Sequence, residues 1–304
     1  MRGDQYNYGA IYTEDVCDTP LAPYIKTAQK TVSTKAGPLM EIKSFPSFLN
    51  RQDYTRAKKY KPSRKVQQKL NDTNARKKAV LKIHANFGAG DLWFTAGWTN
   101  QEMPATADDA RKILADKFIR PVNVARKKQG KDNLRYFYVI EETAGDPKKG
   151  EPENKYHVHV VISGDNDRDW LENMWPGGEY PEAHRIRSKE IGAIVGLSLY
   201  IQECPMGRRR WGCSKGLKPY SHKPTESYSK FSASCIHKIA ALLQTGEHVK
   251  VKDIMEKTYP GYAYDLEYPA EVRKNEDFGG LYLFCRMYRK AGASEQNPAS
   301  GRSR

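Results

Sequence analysis

The chain has no continuous apolar run near the ~18 residues that a membrane-spanning helix needs. Its opening residues, MRGDQYNYGA, hold no apolar stretch of the kind a secretory leader carries, so no membrane partner is expected and the expected location is a bacterial host cytoplasm. Cysteine is scarce and poorly spaced for staples. There are five, at 17, 204, 213, 235 and 285, and even the closest pair, Cys204 and Cys213, has eight residues between them. An odd count without a CxxC pair argues against a disulfide framework or a zinc knuckle and reads as reduced thiols. No GxxxxGK[ST] loop occurs, so duplex unwinding falls to a partner. Internal repeats are also lacking. Acidic residues are outnumbered, 36 Asp and Glu against 51 Lys and Arg, and the resulting +15 favours a polyanionic partner, nucleic acid first.

What is present is unevenly distributed. Residues 1–50 show no sustained periodicity and read as an irregular arm. From 51 to 82 there are twelve Lys and Arg against two Asp, a local +10. Beyond Pro62, Val66, Leu70, Thr73, Lys77 and Leu81 recur at steps of three or four, which predicts a helix with a basic face in a leader spanning 51–90. Arg56, Lys58, Lys59, Lys61, Arg64, Lys65, Arg76, Lys77 and Lys78 are its candidate phosphate contacts. A second basic stretch, 207–230, carries seven Lys and Arg against one Glu, with aromatic rings interleaved. That mixture suits a nucleic-acid groove, and Arg208, Arg209, Arg210, Trp211, Lys215 and Lys218 are its candidates. It opens an extension over 206–290, in which Cys235–Leu243 and Leu281–Tyr288 look ordered. Residues 291–304 read as a disordered tail.

Between the basic stretches, over 91–205, strand-like and helix-like segments alternate. Leu92–Trp98 is aromatic and flanked by glycines and reads as a strand. Thr106 and Asp109 form a capping-box pattern ahead of Ala110, Leu114 and Phe118, and Pro121 disturbs the repeat. Leu134–Glu141 and Tyr156–Ser163 are strands able to pair antiparallel. Asp167 caps a short helix with an apolar stripe of Trp170, Leu171, Met174 and Trp175. Glu179–Arg187 suggests a further strand and Ile191–Glu203 a helix, so the order is βαββαβα and the class α+β.

The chemistry concentrates on one strand. Side chains alternate along a strand, so His157 and His159 share a face, either as a two-imidazole metal clip or as two hydrogen-bonded surface rings. The neighbouring strand ends in Glu141-Glu142 and can add a carboxylate. Two His and one carboxylate leave open positions on an octahedral ion such as Mg²⁺ or Mn²⁺. His84 and His184 are substitute ligands.

The run HANFGAGDLWFT from His84, the YHVHVVIS strand, DRDWLENMW, Leu199-Tyr200 and GRRRWGCSKGLKP resemble, in that order, rolling-circle replication-associated proteins of the HUH endonuclease superfamily. The resemblance covers roughly residues 55–220. It implies an RRM-like antiparallel sheet with helices packed on it, and a divalent metal held by His157, His159 and Glu141. It also implies Tyr200 as nucleophile on single-stranded origin DNA, leaving a 5′-phosphotyrosine and a 3′-hydroxyl for host polymerase, with a host helicase opening the duplex. Two positions depart from the family. Glu203 stands where the family commonly has lysine, one helical turn from Tyr200, and Thr95-Ala96-Gly97-Trp98 replaces a T-L-T-Y pattern. These departures keep open a DNA-binding protein on the same fold that recognises an origin without cutting it. An RNA-binding module on such a sheet is a third reading, which the paired histidines disfavour.

Overall fold

The computed structural model describes residues 27–48, 64–178 apart from 147 and 149, 181–186, 211–274 apart from 222 and 223, and 280–290. Tyr200, Glu203, Arg208, Arg209, Arg210, Arg56, Lys58, Lys59 and Lys61, the helix expected at 191–203 and the tail at 291–304 lie outside the described residues. The chain is α+β and divides into two compact units, one of 68–220 and one built from both flanking stretches, 1–67 with 221–304.

The inner unit is a five-stranded antiparallel sheet in the order β6-β3-β5-β4-β7. Its strands are β3 (Leu92–Gly97), β4 (Tyr136–Ala144), β5 (Asn154–Ile162), β6 (Glu182–Arg185) and β7 (Gly212–Cys213). The expected antiparallel pairing of β4 with β5 is observed in full, from Tyr136 opposite Ile162 to Ala144 opposite Asn154. One face of the sheet presents Phe94, Val158 and Val160 to a helical layer. That layer contains α2 (Ala107–Ile113), a π-helical turn (Leu114–Ile119), α3 (Arg120–Lys128) and α4 (Arg168–Asn173).

Local chemistry sets the ends of these helices. The Thr106 hydroxyl accepts the Asp109 N–H at 3.1 Å, and the Asp167 carboxylate accepts the Trp170 N–H at 2.8 Å, each satisfying an orphan donor. The π turn has a cause in Pro121. Proline has no N–H to give the ladder, and its ring crowds the carbonyl four residues back, so the preceding turn widens. The Arg120 N–H reaches the carbonyl of Ala115, five residues earlier. Phe118 is thereby carried into a fully buried cluster with Phe94 and Trp175, at ring separations of 5.1 and 5.4 Å.

The opposite face of the sheet carries Phe137, Val139 and Val161, covered by Ala79, Ile83 and Phe87 from and just beyond α1 (Arg64–Asn86). From Arg64 to Asn86 the basic leader is thus helical, as the periodicity beyond Pro62 predicts, and its apolar side is used as core.

The outer unit corrects the reading of residues 1–50 as an irregular arm. β1 (Thr27–Ala36) and β2 (Leu39–Phe48) form a hairpin with ten paired positions. Gly37, at φ 57, supplies the left-handed residue that a two-residue hairpin loop needs. The hairpin joins β8 (Thr225–Ser227), β9 (Tyr262–Tyr264), β10 (Glu271–Lys274) and β11 (Leu281–Arg289) in a six-stranded antiparallel sheet, β10-β11-β2-β1-β8 with β9 also on β11. Met40, Ile42, Leu283 and Met287 face α5 (Ala233–Gln244) and α6 (His248–Thr258). The extension expected over 206–290 is therefore two things. Its first residues belong to the inner sheet, and from 221 onward it completes a sheet begun at residue 27.

Candidate metal and nucleic-acid site

The site lies on the α1-covered face of the inner sheet, toward the end where β4 leaves its hydrophobic stretch. Register decides which side chains meet there. Glu141 stands directly opposite His157 and Glu142 opposite Tyr156, so Glu141 is the carboxylate that shares a face with His157 and His159. Tyr156 is buried in the helical-layer core on the other side.

The carboxylate reaches along the strand to the second histidine. Glu141 Oε2 lies 2.7 Å from His159 Nε2. The other ring nitrogen, Nδ1, is 3.2 Å from Thr95 Oγ1 on β3, where Thr95 is the direct cross-strand partner of His159. Trp93, two residues earlier on the same face of β3, stacks on the imidazole at a centroid distance of 5.4 Å and an interplanar angle of 15°. The His159 side chain is only 4% exposed, whereas that of Glu141 is 20% exposed, so the carboxylate is the solvent-facing end of the pair.

Donor type and placement fit a hard divalent ion, with imidazole nitrogen and carboxylate oxygen side by side and a second imidazole next in register. Neighbouring ligands of an octahedral ion at ~2.1 Å sit about 3 Å apart, so the pair at 2.7 Å would open by only a few tenths of an ångström. Among the described residues, no three His, Cys, Asp or Glu side chains are already gathered at ion-holding distances. The structure thus brings His159 and Glu141 together and places His157 on their face without closing the set.

The two substitute histidines have other surroundings. His84 is buried in α1, with Nδ1 2.9 Å from the carbonyl of Val80 one turn earlier. His184 is exposed on edge strand β6, with Nε2 3.4 Å from Glu182.

Parts of the two basic stretches, in α1 and in residues 211–218, are brought side by side within the inner unit. Trp211 stacks on Phe137 at 5.1 Å, and its indole N–H donates to the carbonyl of Ala75 in α1. The Lys82 ammonium lies 6.0 Å from the same indole ring centre. One helical turn beyond Lys82, Asn86 bonds the backbone of Lys218. Residues 211–218 therefore run alongside α1, and Lys78, Lys215 and Lys218 are exposed along this ridge. Arg76 and Lys77 are half-buried, and Arg64 and Lys65 occupy the first turn of α1. Gly212 lets β7 lie close against β4, since a Cβ there would meet the Tyr138 ring at 2.5 Å.

Sequence reasoning missed Thr95, Trp93, Lys82 and Asn86 as parts of this arrangement. The first two were accessible from strand parity once β3 is set antiparallel to β5. Asn86 had no sequence signal, because its partner is 132 residues away. Comparisons with family models, with curated proteins and with solved structures found no match. Among the described residues, no helix is long and apolar enough to cross a membrane.

Proposed function

We propose that the inner unit is an HUH-type, RRM-like nuclease core that nicks and rejoins single-stranded origin DNA to start rolling-circle replication. The observation that carries this reading is the β4–β5 register, which sets Glu141 opposite His157 and within hydrogen-bonding distance of His159. It puts a carboxylate on the same face as two imidazoles, a donor set that a hard divalent ion takes.

His157, His159 and Glu141 would hold Mg²⁺ or Mn²⁺. Such an ion, when bound, polarises a non-bridging phosphoryl oxygen and stabilises the charge that develops during in-line displacement. Tyr200 attacks phosphorus through its phenolic oxygen. The P–O3′ bond breaks, the DNA keeps a 3′-hydroxyl, and the 5′-phosphate is carried on tyrosine. Attack by a 3′-hydroxyl reverses the step and releases the phenol. A phenol of pKa near ~10 has to lose its proton to attack; the proton passes to solvent, and the cations of the α1 and 211–218 ridge, by binding the flanking phosphates, lessen the repulsion that the phenolate meets. Host polymerase extends the 3′ end and a host helicase unwinds the duplex.

The test mixes the protein with a library of single-stranded oligonucleotides, with Mn²⁺ or EDTA, and looks for an SDS-resistant adduct. Formation in Mn²⁺ and loss in Tyr200→Phe is the expected result. Glu203, three positions after Tyr200 in the sequence, favours the second reading, origin binding without cleavage, because a carboxylate near the nucleophile would oppose a phenolate. Tight binding with no adduct in any oligonucleotide would select that reading.

A further inference from the structure

His159 faces a problem of proton placement that Thr95 is placed to solve. With Glu141 Oε2 at 2.7 Å, a neutral His159 carries its proton on Nε2 and donates it to the carboxylate. Its Nδ1 then needs a donor, and the Thr95 hydroxyl, 3.2 Å away, provides one. Metal ligation through Nε2 demands the reverse, because the lone pair must sit on Nε2 and the proton on Nδ1. Nδ1 then needs an acceptor. A hydroxyl is both donor and acceptor and turns about its C–O bond, whereas a backbone carbonyl or a carboxylate at this position would fix one tautomer.

We propose that Thr95 is a positioning residue that serves both tautomers of His159, letting Nε2 exchange its bond to Glu141 for a divalent ion without leaving Nδ1 unpaired. The ring's proton count does not change. The Nε2 proton leaves to water, a water proton arrives on Nδ1, and the Thr95 hydroxyl reverses its direction. Trp93, stacked 15° from parallel with the imidazole, holds the ring plane, so only the proton and the hydroxyl move. The inference rests on the metal reading of His157, His159 and Glu141, and it gives a role to Thr95, the one position of Thr95-Ala96-Gly97-Trp98 that keeps the residue of the T-L-T-Y pattern.

The experiment compares the full-length protein with Thr95→Val, which keeps the shape and removes the hydroxyl, and Thr95→Ser, which keeps the hydroxyl. Mn²⁺ affinity is read by electron paramagnetic resonance, and the His159 tautomer by nitrogen-15 NMR during a Mg²⁺ titration. Expected results are Mn²⁺ binding about tenfold or more weaker in Thr95→Val, and within about twofold of wild type in Thr95→Ser. The wild-type ring should pass from the Nε2–H to the Nδ1–H form as Mg²⁺ is added. Equal Mn²⁺ affinity in wild type and Thr95→Val overturns the role of Thr95 and leaves the metal reading standing. A wild-type ring that stays Nε2–H at saturating Mg²⁺ also overturns that role. Absence of Mn²⁺ binding by the wild-type protein overturns the metal reading and this inference with it.

Discussion

Asn86 and Lys218 are bonded to each other twice, the Asn86 amide donating to the Lys218 carbonyl at 2.9 Å and its oxygen accepting the Lys218 N–H at 2.6 Å. A side-chain amide here does what a neighbouring strand would do, pairing a backbone segment that has no strand beside it. The pairing fixes Lys215 and Lys218 against the C-terminal end of α1.

The Asn86 amide also donates to the Lys82 carbonyl at 2.9 Å, so Asn86→Ala is expected to cost about 1–3 kcal/mol, the net worth of its three partly exposed hydrogen bonds. On single-stranded DNA it should also flatten the dependence of log affinity on log salt by about one unit, as Lys215 and Lys218 lose their fixed position. Urea denaturation and a salt titration of oligonucleotide binding read the two effects separately. An unchanged salt slope would show that residues 211–218 do not contact phosphate.

The sheet register makes a sharp distinction between adjacent glutamates. Glu141→Gln should weaken Mn²⁺ binding about tenfold or more, while Glu142→Gln, opposite Tyr156 on the other face, should leave it unchanged. Isothermal titration with Mn²⁺ checks both, and equal losses in the two variants would contradict the register argument.

Asp165 supplies a pH dependence of stability. Burial pushes its carboxyl up, but the hydrogen bond and charge of the Arg126 guanidinium, 2.7 Å away, outweigh that and hold it below the ordinary aspartate value. A depressed folded-state value means that the ionised form stabilises the fold above the unfolded-state value of about 4, and that this is lost as pH falls through the folded-state value. Asp165→Asn should therefore narrow the stability gap between pH 7 and pH 3. Acid titrations of both proteins followed by circular dichroism provide the check.

Phe118→Ala should be among the most damaging core changes in the inner unit, costing about 3–5 kcal/mol, because the ring is fully buried between Phe94 and Trp175. Chemical denaturation should show a lower midpoint with an unchanged slope.

Much of the inner unit was legible because its signals are local. Thr106 with Asp109, and Asp167 ahead of Trp170, announce helix starts within four residues. The β4–β5 pair is two apolar runs joined by a polar connector. What local reading could not supply was parity across that connector, and so the choice between Glu141 and Glu142 waited for the register. Residues 27–48 failed for a different reason. Their sheet partner β11 begins at Leu281, and the apolar alternation that marks a strand is interrupted on both faces. On one face Thr31 and Ser44 pair their hydroxyls at 2.9 Å. On the other, Glu41 is buried beside Arg286, its Oε1 3.7 Å from the guanidinium Nε. Polar residues whose partners lie on another strand look, in sequence, like loop.

The split of the outer unit between 27–48 and 221–290 bears on how the protein is made. Translation delivers β1 and β2 before the whole inner unit, but the strand that sits beside β2 comes after it. The inner unit has all of its chain by residue 220, so on the ribosome it closes first, while the hairpin that precedes it waits for β11 with its edge uncovered. A stop codon anywhere between 221 and 280 would therefore harm the hairpin at 27–48 as well as the segment it removes.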